Sequence, residues 1–173
     1  MDSLGRSAFE GKRVLELGAG CALCSVVAHS LGAARVVATD GNGALLANAA
    51  ANLETNRLAR GGGSYATAEL GWDTESARGF GAKQGEGWDW VVGSDLTYNA
   101  NAWGSLASAL RVLAPAGAEK PARVLLAMTD RYPGEFNSVK VFFEGAGFRW
   151  QEVGLEDVGG APVHIVALTN TRR

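Results

Sequence analysis

Residues Val14-Leu15-Glu16-Leu17-Gly18-Ala19-Gly20 join an aliphatic, β-branched run to a tight glycine turn. This junction narrows the available folds more than any other part of the chain. A run of that kind suits a strand buried on both faces. A Gly-x-Gly turn directly after it lets backbone approach a ligand closely. A second run, Arg35 to Thr39, ends at the carboxylate of Asp40, which lies 20 residues after Gly20. Strand, glycine turn, helix and a second strand ending in a carboxylate is the order found around nucleotide pockets, where the carboxylate accepts hydrogen bonds from a ribose.

The alternation continues. Lys12 to Leu17 reads as the first strand and Cys21 to Leu31 as the first helix, with Gly32 as the left-handed residue past its end. Arg35 to Thr39 is a strand, Gly43 to Arg57 an alanine- and leucine-rich helix, Gly61-Gly62-Gly63 a flexible turn and Ser64 to Leu70 a third strand. Gly71 to Gly87 is glycine-rich and polar and reads as a loop with room for a short helix. Trp88 to Leu96 is a fourth strand, Ala100 to Ala114 a helix stopped by Pro115, Arg123 to Met128 a fifth strand and Phe136 to Gly145 a helix. Phe148 to Val153 and Val163 to Thr169 close the chain as strands. Ala116 to Pro121 and Glu156 to Pro162 read as surface loops. The pattern predicts an α/β fold: a Rossmann-like, doubly wound, mostly parallel seven-stranded sheet with helices on both faces. The two closing strands predict a C-terminal antiparallel hairpin at one edge. With no linker and no internal repeat, the 173 residues fit a single domain, 1–173.

The net charge is -2 and no Lys/Arg run exists, so neither a nucleic-acid footprint nor a membrane surface is indicated. No apolar stretch is long enough to span a bilayer. Met1 to Glu10 has neither an apolar targeting core nor an Arg-rich amphipathic pattern. Two cysteines do not make a disulfide framework, and the expected setting is cytoplasmic, with the nucleus as the other choice. Cys21-Ala22-Leu23-Cys24 follows a strand and opens a helix, where helix-end amides lower a thiol pKa in redox pairs. The glycine turn already accounts for that geometry, and cysteine also serves as a small core residue, which is the preferred reading. His29 and His164 are too far apart to complete a metal site with these thiols, so no metal is expected. Both read as structural, His29 as a surface or half-buried residue.

The turn discriminates between ligands. A dinucleotide fingerprint requires Gly-x-Gly-x-x-Gly, and the third position here is Leu23. Glu16, two residues ahead of the turn, would repel a pyrophosphate. S-adenosylmethionine carries no phosphate but has a sulfonium and an ammonium, which Glu16 would favour. The alternative is that Glu16 is only a strand-end carboxylate and Asp40 only a helix N-cap.

The chain resembles the class I, seven-β-strand, S-adenosylmethionine-dependent methyltransferases, and within them the methyltransferase-like protein-lysine methyltransferases. Val14 to Gly20, Thr39-Asp40, Leu70-Gly71-Trp72 and Gly93-Ser94-Asp95-Leu96-Thr97-Tyr98 carry the resemblance, which extends from Phe9 onward. It implies methyl transfer to a lysine ε-amine of a protein substrate, with S-adenosyl-L-methionine as cofactor. Small-molecule or other side-chain acceptors, and a catalytically silent binding module, are the alternatives.

The implied cofactor residues are Glu16, Gly18, Ala19, Gly20, Asp40, Trp72 beside the adenine, and Ser94 in the adenosine-contacting position. The implied catalytic residues are Asp95, which attracts and orients the incoming ammonium, and Tyr98, which supplies a hydroxyl and an aromatic wall. The competing reading has Asp95 capping the next helix, Tyr98 packed in its first turn and Trp72 serving as core. Asn52 and Asn56 match asparagines common in the family's second helix, and Arg131 resembles an arginine common after the fifth strand. The family's N-terminal segment, with a tryptophan that helps close the cofactor site, has no match ahead of Phe9. A truncated or minimal member is therefore expected, with exposed apolar helix faces, dimerisation or low solubility.

Overall fold

Strand parity sets up the two layers. On β1 (Arg13–Leu17), Leu15 and Leu17 enter one apolar cluster, Val14 enters another, and all three are fully buried. The structure, a computed structural model, describes residues 6–56 and 63–172. Gly61 and Gly62 of the glycine turn, and Arg57 at the end of the second helix, lie outside the described residues.

After β1 come α1 (Leu23–Ser30), β2 (Arg35–Asp40), α2 (Gly43–Thr55), β3 (Ser64–Glu69), α3 (Thr74–Gln84), β4 (Trp90–Ser94), α4 (Trp103–Leu113), β5 (Arg123–Thr129), α5 (Glu135–Gly145), β6 (Phe148–Val158) and β7 (Ala161–Asn170). The sheet order is β3-β2-β1-β4-β5-β7-β6. The strands β1 to β5 run parallel, and β7 pairs antiparallel with both β5 and β6. This is the expected Rossmann-like sheet with its antiparallel edge. Phe80 of α3, Leu106 and Leu110 of α4 and Phe143 of α5 pack with Leu15, Val91 and Leu126 on one face. Ala28 of α1 and Ala49 and Leu53 of α2 pack on the other.

Four expectations need correction. Gly71 to Gly87 holds a full helix, α3, of 11 residues. Asp73 caps it by accepting the amide of Ser76 at 2.8 Å, and Ala77 and Phe80 bury at i, i+3 spacing. Gly79 and Gly81 masked it, because glycine lowers helix propensity without forbidding the helix. Second, Glu156 to Pro162 is not a loop. The strands run on to Val158 and resume at Ala161, leaving the two-residue turn Gly159-Gly160. Third, α1 starts at Leu23 rather than Cys21, because Ala22 takes a left-handed φ of 63°. His29 is also more buried than expected, at 6% exposure, with Nε2 3.2 Å from the carbonyl of Gly63 and its ring edge-on to Tyr65.

Candidate functional site

The strand order reverses between β1 and β4, and open α/β sheets bind ligands outside the carboxyl ends of strands at such a point. A cleft of about 510 Å³ lies there, within the range of small-molecule sites. Gly18, Asp40, Leu70, Trp72, Asp95, Leu96 and Tyr98 line it, from the ends of four adjacent strands. The structure therefore brings five of the sequence-derived residues, Gly18, Asp40, Trp72, Asp95 and Tyr98, to one cavity.

The glycine turn is shaped by packing. Gly18 has φ +55°, and a Cβ there would sit 2.6 Å from Cδ2 of Leu96 and 3.1 Å from Cζ2 of Trp72. Leu96 is 5% exposed and fills the space left by Gly18 and Gly93. Trp72 leans on the same turn, packs against the main core and still faces the cleft. Its core and cleft roles are thus compatible. Ala19 is buried, and its amide donates to the carbonyl of Thr39 at 2.8 Å. Asn52, on α2, donates to the carbonyl of Cys21 at 2.9 Å and braces the turn, and Asn56 donates to the carbonyl of Asn52.

Asp40 ends β2. Its Oδ2 accepts from the amide of Gly20 at 3.0 Å and its Oδ1 from the amide of Asn42 at 2.9 Å. Asn42, not Asp40, caps α2, its side chain accepting from Ala44 at 3.1 Å. A carboxylate offers about four acceptor positions, so two backbone donors orient Asp40 and leave acceptor capacity facing the cleft. An oriented acceptor beside a glycine turn suits a ribose diol.

Glu16, Ala19, Gly20 and Ser94 are not among the lining residues. Strand parity turns Glu16 toward α1, where its Oε2 accepts from the amide of Ser25 at 2.9 Å. It is 3% exposed. Burial pushes its carboxyl pKa up, and hydrogen bonds from Ser25 and Cys24 only partly oppose this. Burial, then the nearby Glu16, pushes the Cys24 thiol up to about 12, the reverse of redox activation. Ser94 is exposed at the end of β4.

Asp95 follows Ser94 with φ +60°, outside the strand conformation, and its amide donates to the carbonyl of Ala127 at 2.8 Å. It caps no helix; Asn99 caps the short turn ahead of α4. Tyr98 is 65% exposed and is not packed into a helix. Between them, Thr97 is buried, and its carbonyl accepts from the indole N–H of Trp103 at 2.8 Å. Arg131 reaches both carboxylate oxygens of Asp95 through Nη2, at 2.6 and 2.5 Å, and its guanidinium carbon lies 5.5 Å from the Tyr98 ring centre. The link between Asp95 and Arg131 spans 36 residues and leaves no local pattern to read. Asn42 and Leu45 of the lining were also not foreseen, although their place just past the end of β2 is a usable signal.

Among the described residues no group of three or more His, Cys, Asp and Glu side chains is arranged to hold a metal ion, and no helix is long and apolar enough to cross a membrane.

A family model described as lysine methyltransferase matches residues 1–146. A calmodulin-lysine N-methyltransferase of Arabidopsis thaliana is 35% identical over 106 residues, covering 61% of this chain and 34% of that protein. The protein N-terminal and lysine N-methyltransferase EFM7 of Yarrowia lipolytica is 30% identical over 162 residues, covering 84% of this chain and 58% of that protein. The chain thus spans about a third and somewhat over half of these relatives. Among solved structures, the methyltransferase domain of bacterial CtHen1 superposes with a TM-score of 0.62 at 18% identity, covering 96% of this chain and 93% of that one. Magnesium protoporphyrin IX methyltransferase from Synechocystis PCC 6803 with bound S-adenosylmethionine gives 0.59 at 18% identity, covering 95% and 73%. At that identity the likeness concerns the fold.

Proposed function

We propose, from the premise that this chain belongs to the lysine methyltransferase family, that it transfers a methyl group from S-adenosylmethionine to a lysine ε-amine of a protein acceptor. One observation carries the reading. An oriented acceptor at a glycine turn, Asp40 beside Gly18, shares a cleft with a carboxylate beside an aromatic ring, Asp95 with Tyr98.

The residues fit the cofactor. Asp40 would take the ribose hydroxyls. The backbone of Gly18, Ala19 and Gly20 would pass under its methionine end, and the indole of Trp72 would lie against the adenine. Glu16 supports this site from behind, by fixing the start of α1 through Ser25. When bound, the cofactor supplies a methyl carbon on a positively charged sulfur, which a neutral amine can displace. A lysine ammonium, with an ordinary pKa of about 10.4, must first lose its proton, and water is the acceptor we assign. Asp95 attracts the ammonium and orients the nitrogen, while Tyr98 walls the approach. Asp95 stands in an exposed ion pair and is not assigned as the base. Ser94, one residue earlier, is given a backbone role in ending β4.

The protein acceptor is supported by what the relatives are named for: calmodulin-lysine, and protein N-terminal and lysine. Two cysteines in the chain support a cytoplasmic setting, with the nucleus as the other choice.

The test is calorimetric titration with S-adenosylhomocysteine, then incubation with radiolabelled S-adenosylmethionine and a cell lysate. Wild type is expected to bind and to label protein. Asp95→Asn is expected to bind equally well and to label at least about a hundredfold less. Binding with no transfer to any protein would overturn the lysine assignment, and NAD binding in place of S-adenosylhomocysteine would overturn the cofactor assignment.

A further inference from the structure

The position that the proposed reaction reserves for a cation already holds one. Asp95 and Tyr98 form a two-walled slot, carboxylate on one side and ring face on the other, which is the environment that attracts an ammonium. The Arg131 guanidinium sits in it, on both oxygens of Asp95 and 5.5 Å from the Tyr98 ring centre. Its mounting is asymmetric. The Arg131 amide donates to Oε2 of Glu135 at 2.6 Å, and Glu135 is 1% exposed at the start of α5. Beside it, Asp130 accepts from the amide of Phe136 at 2.8 Å. The backbone is thus fixed to α5, whereas the Arg131 side chain is 39% exposed and the Asp95 side chain 51%. A long side chain anchored at its base and solvated at its head can leave without unfolding anything.

We propose that Arg131 is an internal stand-in for the substrate cation, and that an acceptor ammonium enters by displacing it from Asp95 and Tyr98. This rests on the lysine-acceptor reading above. Both cations seek the same two oxygens and the same ring face. Were both to stay, two positive charges would meet within one slot, which is unfavourable. An exposed ion pair is weak, so the barrier it adds is small, about two- to fivefold in affinity. That suffices to disfavour stray amines while a protein acceptor, with further contacts, overcomes it. Arg131 is then a specificity residue that works through Asp95.

The probe is n-butylammonium, a lysine side chain without its backbone. Full-length protein with isotope-labelled arginine and tyrosine is titrated by NMR at constant ionic strength in sodium chloride, with and without S-adenosylhomocysteine. In wild type, the Arg131 side-chain and Tyr98 ring signals are expected to move together, as the guanidinium leaves. Arg131→Met is expected to bind the amine about two- to fivefold more tightly, with S-adenosylhomocysteine affinity unchanged. Arg131→Lys is expected to bind like wild type, and Asp95→Asn not at all. Equal or weaker binding by Arg131→Met, or no detectable binding to either form, overturns the proposal. In the first case Arg131 would instead position Asp95. Failure of S-adenosylhomocysteine to bind wild type would count against the methyltransferase reading alone, since the amine titration is scored separately.

Discussion

The amide of Gly20 donates to Oδ2 of Asp40 at 3.0 Å, so the glycine turn after β1 and the tip of β2 form one hydrogen-bonded unit. The carboxylate serves the fold and the cleft together, and a change there is felt twice.

Asp40→Ala is therefore expected to lower S-adenosylhomocysteine affinity about ten- to a hundredfold, the scale of a lost charged hydrogen bond. Asp40→Asn, which keeps one acceptor oxygen for Gly20, should lose less. Ser94→Ala should lose nothing, since Ser94 lies outside the cleft lining. Isothermal titration of the three variants checks the ranking.

Gly18→Ala strains a φ of +55° and drives a methyl group to 2.6 Å from Leu96. A cost of about 1–3 kcal/mol is expected, read as a lower urea midpoint with an unchanged slope. A change within error would mean that the turn has room to open.

Trp103→Phe removes the indole donor to the carbonyl of Thr97 and leaves a buried carbonyl unpaired. It should cost about 1–3 kcal/mol. Because Thr97 lies between Asp95 and Tyr98, methyl transfer should fall further than cofactor binding does. Equal loss of both would make the indole a general core residue.

Burial holds the Glu16 carboxyl above its ordinary value, so the folded protein binds a proton more readily than the unfolded chain in the interval between the two pKa values. Stability falls as pH rises through that interval, and the loss is complete above the folded value. Glu16→Gln keeps an acceptor for the Ser25 amide but cannot ionise. Its stability relative to wild type should improve between about pH 4 and about pH 8. Urea melts at both ends measure it, and a constant difference would show that the carboxyl carries no burial penalty.

Cys21 is exposed, whereas Cys24 is half-buried with its thiol pushed up to about 12. Iodoacetamide at about pH 8 should alkylate Cys21 and spare Cys24, as mass spectrometry of tryptic peptides can report. Faster labelling of Cys24 would revive a redox reading.

What could be read from sequence was what depends on local pattern. The run Val14 to Leu17, the glycines after it and Asp40 at the next strand end fix the β1–α1–β2 unit, because burial, turn and strand end all leave marks in adjacent residues. The hairpin turn was blurred because Pro162 and two glycines look like a loop although β7 pairs through Ala161. α3 was hidden by its glycines. Within the site, Asp95 and Tyr98 stood out as a short motif. Arg131 gained meaning only once β4 and β5 were paired side by side, which brings residues far apart in sequence to the same sheet edge. Glu16 illustrates the opposite limit: its charge was legible, but which side of the sheet it faces required the strand's registration against α1.

The left-handed backbone of Asp95 narrows which replacements evolution can try there. Among non-glycine residues, aspartate and asparagine tolerate that conformation best, through short side chains that bond locally. Glutamate would retain the negative charge yet suit the dihedral less well, and it would carry its oxygens one carbon farther out. Divergent members that need an acid at this corner have little choice but aspartate, and those that abandon it would drift toward asparagine or glycine before anything larger.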